Sequence, residues 1–393
     1  MIEAAVILHP GKEKSLLRRH PWVFSGAIRE MKGEPKEGDL VSVLNHRGKV
    51  LATGMYGTGS IAVRVLDFSE VLIDESFWMQ RLSRAWELRK TLGLAENQHS
   101  NIFRWVHGEG DGLPGLIIDV YGDVAVFQPH QAGMYHHRES IAHAMMSVAG
   151  KHIKAVYCKG IESHGPNDSF TSDYIVGEST CPVIALEYGN QFKIDWERGQ
   201  KTGFFVDQRE NRRLLGSLSK DKKVLNTFSY SGGFSVFALQ GGAKLVHSVD
   251  SSALAIEWCD ENVALIDRPV GKHESLKADV LQYIKDLPED YDIIVLDPPA
   301  FAKNLKARHR AVQAYKRLNA AAMRQIKPGG LIFTFSCSQV VDKNLFHGSV
   351  LAAAIESNRK VRVLHQLHQP ADHPINMFHP EGEYLKGLVI QVD

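Results

Sequence analysis

The sequence predicts a multidomain α/β protein in which a β-rich start and a small α+β segment precede a doubly wound α/β domain with a central parallel sheet. Three observations predict this. Short runs of β-formers bounded by turn residues fill residues 1–72. From about Thr202 the pattern changes to strand, helix, strand, helix, the rhythm of a sheet covered on both faces. The chain has 393 residues, 44% of them hydrophobic, which is enough apolar material for two or three separate cores.

Each element has its own signal. Asp39 to Leu44 and Lys49 to Met55 flank the hairpin signal His46-Arg47-Gly48, and Ser60 to Phe68 follows as a third strand, so a small barrel or sheet is expected over residues 1–72. From Glu75 to Leu92 the apolar residues Phe77, Trp78, Leu82, Ala85, Trp86 and Leu92 recur near the helical period, and Gly93 is a stop signal. Residues 73–190 then read as a small α+β domain, with strands at Asn101 to Val106, Leu116 to Val120, Val124 to Gln128 and Ile153 to Cys158, a helical stretch from Gly133 to Val148, and a polar loop from Glu162 to Ser172. Pro182 to Leu186 and Gln191 to Trp196 suggest one more hairpin. In residues 191–393, Val224 to Thr227, Leu245 to Val249, Tyr291 to Leu296 and Leu331 to Phe335 suit buried parallel strands, separated by helices at Phe234 to Gln240, Ala253 to Leu265, Ala311 to Ile326 and Leu345 to Glu356. Val361 to Leu367 and Leu385 to Val392 close the domain as an antiparallel hairpin.

Composition narrows the functional classes. No apolar run approaches the roughly 20 residues of a membrane-spanning helix, and Ala4 to Leu8 runs into charge rather than a cleavage pattern, so a cytoplasmic protein is expected. Cys158, Cys181, Cys259 and Cys337 form no C-x-x-C pair, which argues against a disulfide framework or a structural zinc site. The C-terminal histidines His365, His368, His373 and His379 match no metal spacing. A net charge of +1 gives no global nucleic-acid signature, so any RNA must bind local patches. Lys12, Lys14, Arg18, Arg19 and His20, interleaved with Trp22 and Phe24, form one such patch, offering phosphate contacts and a stacking surface. Lys303, Lys306, Arg308, His309 and Arg310 form a second. The alternative for both is a solvated basic face.

A cofactor constellation lies at the expected strand ends. Phe228-Ser229-Tyr230-Ser231-Gly232-Gly233 follows the first strand of the α/β domain and opens a helix, a turn that lets a ligand approach the backbone. It lacks G-x-G-x-x-G, so a cofactor without phosphates is favoured over a dinucleotide. Asp250, followed by Ser251, ends the second strand about twenty residues on, where a carboxylate can accept both hydroxyls of a ribose. Asp279 is placed to meet an adenine amino group, or to act as a helix N-cap.

Asp297-Pro298-Pro299 directly follows the strand Tyr291 to Leu296, so a carboxylate stands where open α/β sheets bind ligands. The plainer alternative is an ordinary strand-ending turn, but a D-P-P after such a strand points to methyltransferases acting on the amino-bearing edge of a base. Cys337 ends the next strand and should stand beside Asp297. A thiolate adding to carbon 6 of a pyrimidine makes carbon 5 nucleophilic enough to attack a methyl sulfonium, which gives Cys337 a chemical reason to be there; the plainer alternative is an inert core residue. Packing is the expected role of Cys158, Cys181 and Cys259.

These residues, with the segments Lys12 to Ala27, Gly108 to Leu116, Lys201 to Arg209, Asn226 to Phe234 and Ala371 to Pro374, resemble the bacterial large-subunit (23S) ribosomal RNA cytosine-5 methyltransferase family that carries an N-terminal PUA domain. The resemblance spans essentially the whole chain. It implies a PUA-like RNA-binding β-barrel over residues 1–72, a central domain over 73–190, and a Rossmann-like, seven-stranded methyltransferase domain over 191–393 that uses S-adenosyl-L-methionine. It also implies a homodimer acting on ribosomal RNA. By motif match it makes Cys337 the nucleophile and sets Asp297 against the ring nitrogen and exocyclic amine of a cytosine. Phe228, Ser229, Tyr230, Gly232, Asp250, Ser251, Asp279 and Asp297 would line the cofactor, and Lys14, Arg18, Arg19, Trp22, Lys201, Thr202, Gln208, Pro298, Pro299 and Lys303 would meet the RNA. Ala300 stands where the family commonly has Lys, and Pro299 where other RNA cytosine-5 enzymes carry a second cysteine, so the proton-removing base is left open. Two alternatives stand beside this reading: methylation of an exocyclic amine or other base position without a thiol, and a non-catalytic RNA-binding protein.

Overall fold

A computed structural model describes Ile2 and residues 4–160, 170–267, 269, 271–288, 290–302 and 304–393. Lys303 and most of the polar loop from Glu162 lie outside the described residues. The chain forms two compact units, one of Met1–Gly189, Ile194–Val206 and Ala371–Gly382, the other of Asn190–Lys193, Asp207–Pro370 and Glu383–Asp393. Among the described residues no helix is long and apolar enough to cross a membrane.

The first unit begins with β1 (Ala4–Leu8), β2 (Trp22–Phe24), β3 (Ile28–Lys32), β4 (Leu40–Leu44), β5 (Val50–Tyr56) and β6 (Ile61–Asp67), joined in one sheet of order β2-β6-β5-β4-β1-β3. The hairpin expected at His46-Arg47-Gly48 joins β4 and β5: Asn45 Oδ1 accepts from the backbone of Arg47 and Lys49 at 2.9 and 3.0 Å, and Gly48 takes the left-handed φ of 83° that such a turn needs. Val6, Leu8, Val41, Val43, Val63 and Val65 alternate inward to make its core. The helix Glu75–Thr91 is capped by Asp74, whose side chain accepts from Phe77 N at 3.0 Å, and buries Phe77, Trp78, Leu82 and Trp86 on one face. That face packs on the second sheet, formed by β7 (Ile102–His107), β8 (Leu116–Tyr121), β9 (Val124–Pro129), β10 (Ala155–Cys158) and β11 (Asp173–Val176) in the order β11-β10-β9-β8-β7. The helical stretch expected from Gly133 to Val148 is two helices, Ala132–His136 and Arg138–Ala149, divided at His137. β12 (Val183–Glu187) and β13 (Asn190–Ile194) lead out of this unit.

The second unit holds a seven-stranded sheet of β14 (Lys223–Thr227), β15 (Leu245–Asp250), β16 (Lys272–Lys277), β17 (Ile293–Leu296), β18 (Gly330–Ser336), β19 (Val361–His368) and β20 (Lys386–Val392), in the order β16-β15-β14-β17-β18-β20-β19. The first five strands run parallel, and β20 is antiparallel to both β18 and β19, as the closing hairpin required. β14, β17 and β18 are almost entirely buried, as the central strands of a parallel sheet are. The chain builds outward from β14 through β15 to β16 and then crosses to β17 on the opposite side, so the carboxyl ends of β14 and β17 flank the point where strand order reverses. That crevice is where this class of sheet binds ligands.

Candidate active site

The loop leaving β14 is backbone-strained. Phe228, Tyr230 and Gly232 have φ of 53°, 45° and 78°, and each non-glycine residue in this region costs on the order of 1 kcal/mol. The strain is held by the neighbouring strand: Ser229 N donates to Val249 O at 3.1 Å, and Tyr230 N donates to Asp250 Oδ2 at 3.0 Å. Asp250 Oδ1 accepts from Ser252 N at 2.9 Å, which fixes the carboxylate at the tip of β15 while leaving each oxygen a further lone pair. Gly232 is required twice over, by its φ and because a Cβ there would lie 2.6 Å from Cys259 Sγ. Asn262 Nδ2 donates to Ser231 O at 2.8 Å and braces the turn from behind.

This cradle fits S-adenosylmethionine. Among the described residues the buried Ser229 hydroxyl has no hydrogen-bond partner, and the half-buried Asp250 carboxylate can still accept from two hydroxyls. Both are suited to a nucleoside whose outward groups are donors. Ser251 is exposed beside them. Asp279 caps the short helix Val280–Tyr283, its Oδ1 accepting from Leu281 N and Gln282 N at 2.8 and 3.2 Å. The capping role foreseen for it is therefore filled, and only Oδ2 is left to meet an adenine.

Asp297 and Cys337 follow adjacent parallel strands whose register sets Leu296 opposite Thr334. Both residues are half-buried, Pro298 is buried and Pro299 is exposed. Ser338 Oγ donates to Ala302 O at 2.8 Å and ties the loop after β18 to the loop after β17. The Tyr315 hydroxyl is buried near both: burial pushes its pKa up to about 12, and negative charge on Cys337 and on Asp297 opposes its ionisation further. One phenol thus senses both groups. The remaining thiols are poor nucleophiles, since burial pushes Cys158 and Cys259 up to about 12 and Cys181 to about 11.

In the first unit three of the motif segments meet in a buried polar network that the sequence did not reveal as one structure. Arg104 grips Asp119 with two parallel bonds of 2.8 Å, and Thr202 Oγ1 donates to the same carboxylate at 2.6 Å. Arg89 grips Asp111 in the same way, at 2.6 and 2.8 Å, and also donates to Asp372 O at 2.6 Å. Asp372 in turn accepts from Arg104 N at 2.9 Å. Burial, with the charges of His373 and Arg104 nearby, holds His107 neutral, well below its ordinary pKa. The network locks Gly108 to Leu116, the segment from Lys201 and the segment from Ala371 to one another. Such forks are strong where planar carboxylates are buried.

The residues expected to meet RNA fall into two groups. Lys14, Arg18 and Arg19 are exposed, with the Arg19 guanidinium 5.2 Å from the Phe68 ring centroid. Trp22 is half-buried, its indole N–H donating to Glu109 at 2.8 Å and its ring 4.3 Å from His379, so only part of its face is open for stacking. Lys201 Nζ lies 4.6 Å from the Phe205 ring centroid. Thr202 is fully buried, with its hydroxyl held by Asp119 and Tyr121, and Gln208 is buried with its Oε1 accepting from Asn211 at 2.6 Å. In this structure these two support the loops around them.

Comparison with known proteins places this geometry in a family. Residues 6–68 match the PUA-like domain, and residues 139–377 match the family described as S-adenosylmethionine-dependent methyltransferase. A protein of Pseudoalteromonas translucida named ribosomal RNA large subunit methyltransferase I is 40% identical, over 99% of both chains. The protein of the same name from Klebsiella pneumoniae strain 342 is 38% identical, over 98% of both. Among solved structures, a SAM-dependent methyltransferase from Streptococcus mutans superposes with a TM-score of 0.84 at 22% identity, and a methyltransferase complexed with SAH with 0.85 at 23%, each covering the whole of both chains. At that identity these two speak for the fold. The chain accordingly belongs to the S-adenosylmethionine-dependent methyltransferases, in the family of ribosomal RNA large subunit methyltransferase I with its PUA-like N-terminal domain.

Proposed function

We propose that the chain methylates carbon 5 of a cytosine in large-subunit ribosomal RNA through a covalent bond between Cys337 and carbon 6 of the base. The observation that carries this reading is the pairing of Asp297 and Cys337 on neighbouring strand ends, tied by the Ser338–Ala302 hydrogen bond, beside the strand-reversal crevice. The names of the full-length relatives support the substrate class.

Bound S-adenosylmethionine supplies an electrophilic methyl group. Cys337, as the thiolate, adds to carbon 6; the electron pair of the 5,6 double bond moves through carbon 5 toward the ring nitrogen, to which Asp297, as the neutral acid, gives a proton that it takes back once carbon 5 is methylated. Carbon 5 takes the methyl group as the methyl–sulfur bond breaks, the bonding pair staying on the sulfur, which leaves as a neutral thioether. Loss of the carbon 5 proton to a base then re-forms the double bond and expels the thiolate, which regenerates the enzyme. The cytosine must first leave its stack, at a cost of about a few kcal/mol. Lys14, Arg18, Arg19, Trp22, Lys201, Pro299 and Lys303 provide phosphate and stacking contacts in this reading, with Pro298 shaping the pocket, and the working form is a cytoplasmic homodimer.

Bisulfite sequencing of ribosomal RNA from a deletion strain should show one protected cytosine that vanishes, and that returns with the intact gene but not with Cys337→Ala. Full activity of Cys337→Ala in single-turnover methylation would instead support transfer to an exocyclic amine, which the D-P-P motif alone could serve.

A further inference from the structure

Lys386 opens β20, and its ammonium is pulled into the protein beneath the Cys337 loop. The residue is 4% exposed. Its Nζ donates to Ser338 O at 2.7 Å, one residue beyond Cys337, and its backbone pairs with Ser336 on β18, one residue before. The lysine thus brackets the cysteine from both sides. Lysine is rarely buried without a carboxylate to pair with, yet the bond from this ammonium goes to a neutral carbonyl. The charged and titratable groups around it are Cys337 on its own loop, Glu383 just before β20, Asp342 after β18, and His368, which lies opposite on β19 with Nδ1 against Gln369 O. Tyr315 is close enough to both Cys337 and Asp297 for their negative charge to oppose its ionisation.

We propose that Lys386 is the positioning residue for the nucleophile: its buried ammonium fixes the backbone that follows Cys337 and supplies the positive charge that favours the thiolate. This rests on Cys337 being the attacking group. Physical support comes from the reciprocity of the pair. Burial lowers the Lys386 pKa to about 8, and of the groups that pull it back up Cys337 is the largest; a thiolate that stabilises the ammonium is stabilised by it to the same extent. A cation close to a thiol is the usual way a cysteine becomes reactive near neutral pH. In the sequence the lysine is a lone charge near the start of the apolar run Leu385 to Val392, which gives it no signal of its own.

The test is the pH dependence of Cys337 alkylation by iodoacetamide, followed by mass spectrometry of its peptide in the full-length protein, alongside single-turnover methylation of ribosomal RNA. Lys386→Met removes both charge and donor; Lys386→Gln keeps a donor for Ser338 O and removes only charge. The proposal expects the alkylation midpoint to rise by about one pH unit or more in both variants, because a unit is a tenfold change in thiolate population. Methylation at pH 7 should fall at least about tenfold and recover in large part by pH 9, with Lys386→Arg closer to wild type than either. Cofactor affinity, measured by calorimetry, should be unchanged and certifies that the variants are folded. An unshifted alkylation profile in either folded variant overturns the role of Lys386, and leaves Cys337 standing if Cys337→Ala remains inactive. Activity of Cys337→Ala overturns the covalent reading itself, whatever Lys386 does to the thiol.

Discussion

At the scale of single residues, the site works by holding a few groups where water would otherwise satisfy them. Asp250 joins two strand tips through backbone N–H groups and still has lone pairs for a diol. Asp250→Ala should weaken S-adenosylmethionine binding by about 1.5–3 kcal/mol, roughly tenfold to more than a hundredfold in Kd. Titration calorimetry checks this, and an unchanged Kd would remove Asp250 from the cofactor site. Lys386 gives a second residue-scale prediction, this time in stability. Its pKa is lowered in the folded protein to about 8, so between that value and its ordinary one the unfolded chain binds more protons. Stability from this group therefore rises with pH across the window, with a slope of at most about 1.4 kcal/mol per unit. Denaturant unfolding of wild type and Lys386→Met at pH 7 and 10 should show the variant more stable than wild type at pH 7 and the advantage shrinking by pH 10. A constant difference would mean that the ammonium is not buried in the way described.

At the scale of elements, the legible parts were those whose buried faces are apolar. β14, β15, β17 and β18 stood out as short hydrophobic runs, and with them the loops carrying Asp250, Asp297 and Cys337. β3 does not stand out, since Ile28–Lys32 has four exposed residues of five, and β16, an edge strand with one apolar residue, is marked only by its place as a third strand ahead of Asp279, not by the alternation of a half-buried strand. The helix Arg209–Ser217 was missed for the opposite reason. Its buried face carries Arg209, Asn211 and Arg212 beside Leu215, and polar residues turned inward read as a solvated stretch. The Arg89–Asp111 and Arg104–Asp119 forks are likewise invisible to periodicity, because their network joins segments up to 283 residues apart. Their weight can be measured. Asp119→Ala leaves Arg104 and Thr202 buried without their carboxylate and should cost about 3–5 kcal/mol. A loss below about 1 kcal/mol in urea unfolding would mean that the fork is dispensable.

At the scale of the whole molecule, a near-neutral chain must bind an anionic polymer through local charge. The exposed Lys14, Arg18 and Arg19 on the PUA-like domain are the proposed means, and the fold itself is shared with methyltransferases of low sequence identity. Replacing Lys14 and Arg18 together with Ala should reduce the slope of log affinity against log salt by about 0.7–0.9 for each phosphate no longer neutralised, and should weaken binding similarly for ribosomal fragments of different sequence. A slope unchanged from wild type in filter binding would move the RNA to another face. The chemistry is tested most directly by trapping. RNA carrying 5-fluorocytosine at the target position has no carbon 5 proton to lose, so the expulsion of the thiolate is blocked after methyl transfer. With S-adenosylmethionine present, a complex that survives denaturing electrophoresis should form, map to the Cys337 peptide by mass spectrometry, and be absent from Cys337→Ala. Methylation of the unmodified RNA without any such adduct, or an adduct on another residue, would contradict a cysteine bond to carbon 6.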